Sequence, residues 1–122
     1  MNNFLLVFLG GGLGSVSRYL ISLVFIRLEF LSLPWATLSS NLLSAAILGT
    51  FIWKVNPEEG SILYPLIAIG FCGGFSTFST FSMETLELLK QGETTWAVLN
   101  VMFSVVLCLF VLYALYHSTS GI

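Results

Sequence analysis

The side chains that could do chemistry are few, and they sit in apolar surroundings. Asn41 ends the run Thr37-Leu38-Ser39-Ser40-Asn41 inside a hydrophobic stretch. An amide there must find partners, either across to another helix or along a pore. The second feature is Gly70 to Glu84, which reads Gly-Phe-Cys-Gly-Gly-Phe-Ser-Thr-Phe-Ser-Thr-Phe-Ser-Met-Glu. Aromatic rings are negative on the face and positive at the edge. Phe78 and Phe81 could therefore hold an anion by their edges, without a fixed cation to trap it. Asn41, Ser79 and Thr80 would add donors that replace the water of a small, strongly hydrated anion. The same rings at helical spacing also make ordinary packing residues.

Glycines at 70, 73 and 74 each weaken a helix by roughly 1 kcal/mol relative to Ala. An interrupted helix in a membrane offers carbonyls to cations and N–H groups to anions. The carbonyls of Gly73 to Thr77 are thus candidate cation ligands, with a glycine-rich packing face as the alternative. At ~100° per residue, Phe78 and Phe81 lie ~60° apart on one side while Ser76, Ser79 and Thr80 point away. Hydroxyls on several faces need either an unwound segment or protein all round, and a chain this small supplies the latter only with a second subunit.

The elements that must position these residues follow from composition. The chain has 122 residues, 57% hydrophobic and 8% charged, which excludes a soluble domain and allows one domain at most. Four basic residues and a net charge of −2 exclude a nucleic-acid binder. Cys72 and Cys108 form no CxxC and read as small apolar side chains. His117 stands alone, so no side-chain metal cluster is expected, and no embedded nucleophile–base pair suggests an enzyme. Met1-Asn2-Asn3 lacks a positive n-region, so the first apolar stretch reads as a retained span.

Four stretches meet the ~20 residues a crossing helix needs: about 4–26, 35–53, 62–81 and 95–116. The expected fold is an all-α integral membrane protein, with residues 1–122 as a single four-helix domain and the third helix broken near its middle. Ser32-Leu33-Pro34 signals the start of the second helix, and the chemistry of residues 55–60 is that of a turn. Beyond Phe81 the pattern becomes amphipathic until Gly92. Trp35, Trp53, Tyr64, Trp96 and Tyr116 fall near span ends, as interfacial aromatics do.

Within the first span, Gly10, Gly14 and Arg18 share one face, with Gly11 and Ser15 beside them; small residues at that spacing permit close helix approach. Arg18 must find acceptors or water. It either bonds backbone carbonyls at a helix break or draws anions into a vestibule. In the second span Thr37, Asn41, Ala45 and Gly49 form a stripe with Ser44 alongside, and in the fourth Asn100, Ser104 and Cys108 read as a weakly polar packing seam. Arg27 and Lys90 fall on one side of the membrane and Lys54 on the other. A bias of one residue hardly fixes a direction. The chain is expected to insert both ways up and to pair with its inverted copy as an antiparallel dimer.

Three motifs, Gly11-Gly12-Leu13-Gly14-Ser15-Val16-Ser17-Arg18-Tyr19, Thr37 to Asn41 and Gly70 to Glu84, resemble those of the small dual-topology fluoride channels of bacteria, the fluoride-specific exporter family. The likeness covers the whole chain. It implies a passive, fluoride-selective channel of the bacterial inner (plasma) membrane that lowers cytoplasmic fluoride. It also implies an antiparallel homodimer with two pores and one central structural sodium ion. By motif position, Asn41, Phe78 and Phe81 are pore residues, with Ser79, Thr80 and Thr37 in the polar track beside them. Sodium would be held by the backbone carbonyls of Gly73 and Ser76 from both subunits, and Arg18 and Glu84 would have supporting roles. Ser76, Ser15 and Ser44 depart from the family's usual Thr, Ala or Gly, and Gly respectively.

Two other functions compete. A small multidrug exporter needs an embedded carboxylate in the first span, and no acidic residue precedes Glu29. A non-transporting assembly subunit would use Asn41, Gly10 and Gly14 only as helix glue.

Overall fold

A computed structural model describes residues 2–29 and 33–120, and all regular structure among them is helical. Ser32, part of the expected start signal, lies outside the described residues. Asn2 caps the first helix, its Oδ1 accepting the Phe4 N–H at 2.8 Å. Helix α1 then runs over Asn3–Arg27 and buries Leu6, Gly10 and Gly14, one stripe at steps of four. Helix α2 begins after Pro34, with ordinary turns over Trp35–Gly49 and wider, π-helical turns over Thr50–Val55. Asn56, in the left-handed region at φ 47°, ends it by donating to the Phe51 carbonyl five residues back.

Helix α3 (64–75) opens with π-helical turns over Tyr64–Phe71, Pro65 standing where a missing N–H does no harm, and finishes as ordinary helix over Cys72–Phe75. Ser76 (φ −86°, ψ 159°) and Thr77 (φ −153°, ψ 122°) are extended. Helix α4 covers Phe78–Lys90, and Gly92 at φ +80° turns the chain into α5, Thr94–Ser120. Four stretches, Asn3–Arg27, Trp35–Val55, Tyr64–Lys90 and Thr94–Ser120, are long and apolar enough to cross a membrane. The protein is a multi-pass membrane protein.

The interior mixes apolar side chains such as Leu6, Phe51, Phe75 and Leu88 with polar ones. The residues turned inward include Thr37, Ser40, Ser44, Asn100 and Ser104, while Phe4, Phe8, Leu13, Leu109 and Phe110 are exposed. In lipid the outer face needs no burial, and association rests on small residues and hydrogen bonds. Helix α1 lies along α3, α2 along α5, and α4 against α5. Between α4 and α5 the Asn100 amide donates to Thr85 Oγ1 at 2.9 Å, and Thr85 donates to the Phe81 carbonyl at 2.8 Å.

The glycines correct one expectation. Gly73 and Gly74 stay helical, and the segment that leaves helical geometry is Ser76–Thr77 alone. Gly10, Gly14 and Gly74 instead let α1 and α3 touch backbone to backbone. A Cβ on Gly10 would strike the Leu66 carbonyl, one on Gly14 the Phe71 carbonyl, and one on Gly74 the Gly11 carbonyl. Gly73 differs: a Cβ there would meet nothing within 4 Å.

Candidate functional site

The extended residues are held from outside their own helix. Asn41, on α2, turns its whole amide onto the backbone of Thr77. The Thr77 N–H donates to Asn41 Oδ1 at 2.8 Å, and Asn41 Nδ2 donates to the Thr77 carbonyl at 3.3 Å. Thr77 in turn caps α4: its Oγ1 accepts the Thr80 N–H at 3.2 Å and lies 3.3 Å from Ser79 Oγ. Free N–H groups at a helix start are what such a cap satisfies.

Neighbouring carbonyls are also occupied. The Cys72 carbonyl accepts from Ser44 Oγ at 3.0 Å, Ser76 Oγ at 2.8 Å and the Ser76 N–H at 3.1 Å. Arg18 Nε donates to the Gly74 carbonyl at 3.1 Å. The guanidinium thus reaches a backbone carbonyl beside the extended link, and it also faces the first of two cavities.

That first cavity, about 360 Å³, gathers Arg18, Thr37, Thr80, Glu84 and Gln91 at the ends of α1, α2 and α4. Thr37 donates to Glu84 Oε1 at 2.6 Å, and Glu84 Oε2 is buried with no partner among the described residues. The second, about 440 Å³, is a groove between α2, α4 and α5. Asn41, Ser76, Thr77, Phe78, Phe81 and Ser104 line it, with aliphatic side chains such as Leu48 and Leu109 as the remaining wall. The Phe78 and Phe81 ring centroids are 5.8 Å apart at 46°. Phe81 is buried (9% exposed) and Phe78 is turned outward (80%). Thr37 and Asn41, one turn apart on α2, open onto different cavities, with the first turns of α4 between them.

The structure therefore brings Asn41, Phe78 and Phe81 to one groove and Thr37, Thr80, Arg18 and Glu84 to another cavity. Ser79 lines neither and is exposed. The sequence reading missed Thr77 as the hub of the link, although Thr is itself a favoured residue at a helix N-cap. It also read Ser104 as packing, whereas Ser104 Oγ is buried without a partner among the described residues and lines the groove. The described residues contain no group of three His, Cys, Asp or Glu side chains able to hold a metal.

Comparison with known proteins gives concordant matches. The family model described as CrcB-like protein, Camphor Resistance, matches residues 5–116. A fluoride-specific ion channel, FluC, of Shewanella baltica is 45% identical over 118 residues, covering 93% of this chain and 92% of the relative. The FluC proteins of Shewanella sp. strain ANA-3 and Shewanella frigidimarina are 43% and 44% identical over the same shares.

Proposed function

We propose that this chain, which belongs to the CrcB-like family, is a fluoride-selective channel of the bacterial cell membrane through which fluoride leaves down its gradient. One observation carries the reading. Asn41, Phe78 and Phe81 share a groove in a chain 45% identical to a protein named for fluoride-specific conduction.

The chemistry is that of replacing water around a small anion. An amide nitrogen has two donors, and Asn41 spends one on the Thr77 carbonyl, leaving the other for an anion. Phe81 and Phe78 offer ring edges, and the unpartnered Ser104 hydroxyl offers a further donor. None of these is a fixed cation, so an anion held there can leave. On the other side of α4, the cavity with Arg18, Thr37 and Thr80 serves as the aqueous approach.

The chain works as an antiparallel homodimer with two such pores. Supporting this are the one-residue charge bias and the open face at Gly73, where added bulk would meet nothing. Sodium at the dimer centre fits the geometry of the link. The Gly73 and Ser76 carbonyls accept no hydrogen bond among the described residues, and a hard cation takes oxygen ligands. Two carbonyls from each copy would hold it, and sodium would supply the positive charge that fixes the two links against each other.

Purified protein in liposomes loaded with potassium fluoride, followed with a fluoride electrode, tests the function. The expected result is rapid fluoride efflux with no comparable chloride efflux. Equal rates for the two ions would end the claim of selectivity.

A further inference from the structure

We infer that Asn41 and Thr77 are positioning residues for the cation site, because their side chains intercept the two N–H groups that would otherwise close helical bonds onto its carbonyls. The inference rests on the reading that Gly73 and Ser76 hold a cation. In an uninterrupted helix the N–H of residue i bonds the carbonyl of residue i−4. The Gly73 carbonyl would then belong to the Thr77 N–H, and the Ser76 carbonyl to the Thr80 N–H. The first N–H goes to Asn41 Oδ1 at 2.8 Å and the second to Thr77 Oγ1 at 3.2 Å.

The two diversions have one geometric cause. With φ −153° and ψ 122°, Thr77 has strand-like backbone, and the Asn41 amide meets its N–H and its carbonyl as a neighbouring strand would. This amide is supplied by α2. The interruption is therefore imposed across the helix pair, and the local glycines, which remain helical, do not create it. Other donors occupy two neighbouring carbonyls: Ser44 and Ser76 take that of Cys72, and Arg18 takes that of Gly74. Free carbonyls in an apolar slab are costly, so leaving those of Gly73 and Ser76 unpaired makes sense where a ligand completes them. Asn41 also lines the groove with Phe78 and Phe81, so one side chain serves both ion sites.

The test is thermal unfolding of purified protein in detergent, read by tryptophan fluorescence. Sodium chloride is titrated against N-methylglucamine chloride at constant ionic strength. Sodium is expected to raise the wild-type midpoint. Asn41→Leu, which lets the Thr77 N–H return to Gly73, should weaken apparent sodium affinity by about tenfold or more. Asn41→Asp, which still accepts the Thr77 N–H but loses the donor to the Thr77 carbonyl, should fall between wild type and Asn41→Leu. Thr77→Val should weaken it, and Thr77→Ser should restore it. A residue that only lines the anion groove would not move this affinity.

Wild-type sodium affinity in Asn41→Leu overturns the inference and leaves the cation site standing. If Asn41→Leu does not fold, equal sodium affinity in Thr77→Val and Thr77→Ser overturns it instead. A wild-type protein indifferent to sodium removes the cation site itself, and this inference with it.

Discussion

Gly73 and Gly74 are neighbours in the chain and opposite in use. Gly74 presses its α-carbon onto the backbone of α1 at Gly11, while Gly73 faces open space beside a carbonyl with no donor among the described residues. The two sides of α3 show how a membrane protein spends small and polar residues. On the α1 side their smallness replaces the hydrophobic effect, which is absent between helices in lipid. On the other side their polarity is turned to another helix, with the Thr77 backbone bonded to the Asn41 amide. Glycine content alone says only that one of these is happening.

The packed side of α3 tolerates added bulk least. Gly14→Val would drive a side chain into the Phe71 carbonyl, and the overpacking is expected to cost about 3 kcal/mol. Yield of monodisperse protein should collapse; a normal yield would show that α1 and α3 can part without penalty. On the open side, Phe81→Ile should reduce fluoride efflux by at least tenfold, about 1.4 kcal/mol, with helicity intact. Undiminished efflux would take Phe81 out of the pathway.

Gly73→Ala adds one methyl group where nothing lies within 4 Å. Propensity should favour the protomer's helix by about 1 kcal/mol at most, so circular dichroism should show no loss. The expected damage is to the dimer fraction measured by light scattering, and a dimer as stable as wild type would mean that face meets no second copy. The smallest effect belongs to Asn100→Ala, which removes the bond to Thr85. A loss of about 0.6 kcal/mol in stability is expected, with efflux near wild type. A collapse of efflux would move Asn100 from packing to transport.

The four spans were legible in the sequence because lipid demands length and apolarity whatever the tertiary contacts. The α1 glycine face was legible for the same reason: Gly10 and Gly14 at four-residue spacing leave few other uses. The extended link was read too broadly, over Gly73 to Thr77, since propensity sees glycine and cannot see an amide arriving from α2. Thr37 and Asn41 lie on one stripe, yet they face different cavities, because α4 passes between them. The π-helical turns at 50–55 and 64–71 left no sequence signal beyond Pro65.

Helices α2 and α5 carry rings at both ends. Trp35 and Trp96 line one small cleft near their starts, and Trp53 meets the Tyr116 ring edge-on at 5.5 Å near their ends. At 1.5 Å per residue these belts stand about 27 to 30 Å apart, close to the thickness of a bilayer's hydrocarbon core. Such rings seek the headgroup layers on either side, so the pair behaves as a float with matching rims. The Asn41–Thr77 contact sits six residues along α2 from Trp35 and twelve from Trp53, so the float carries the extended link nearer one rim than the other.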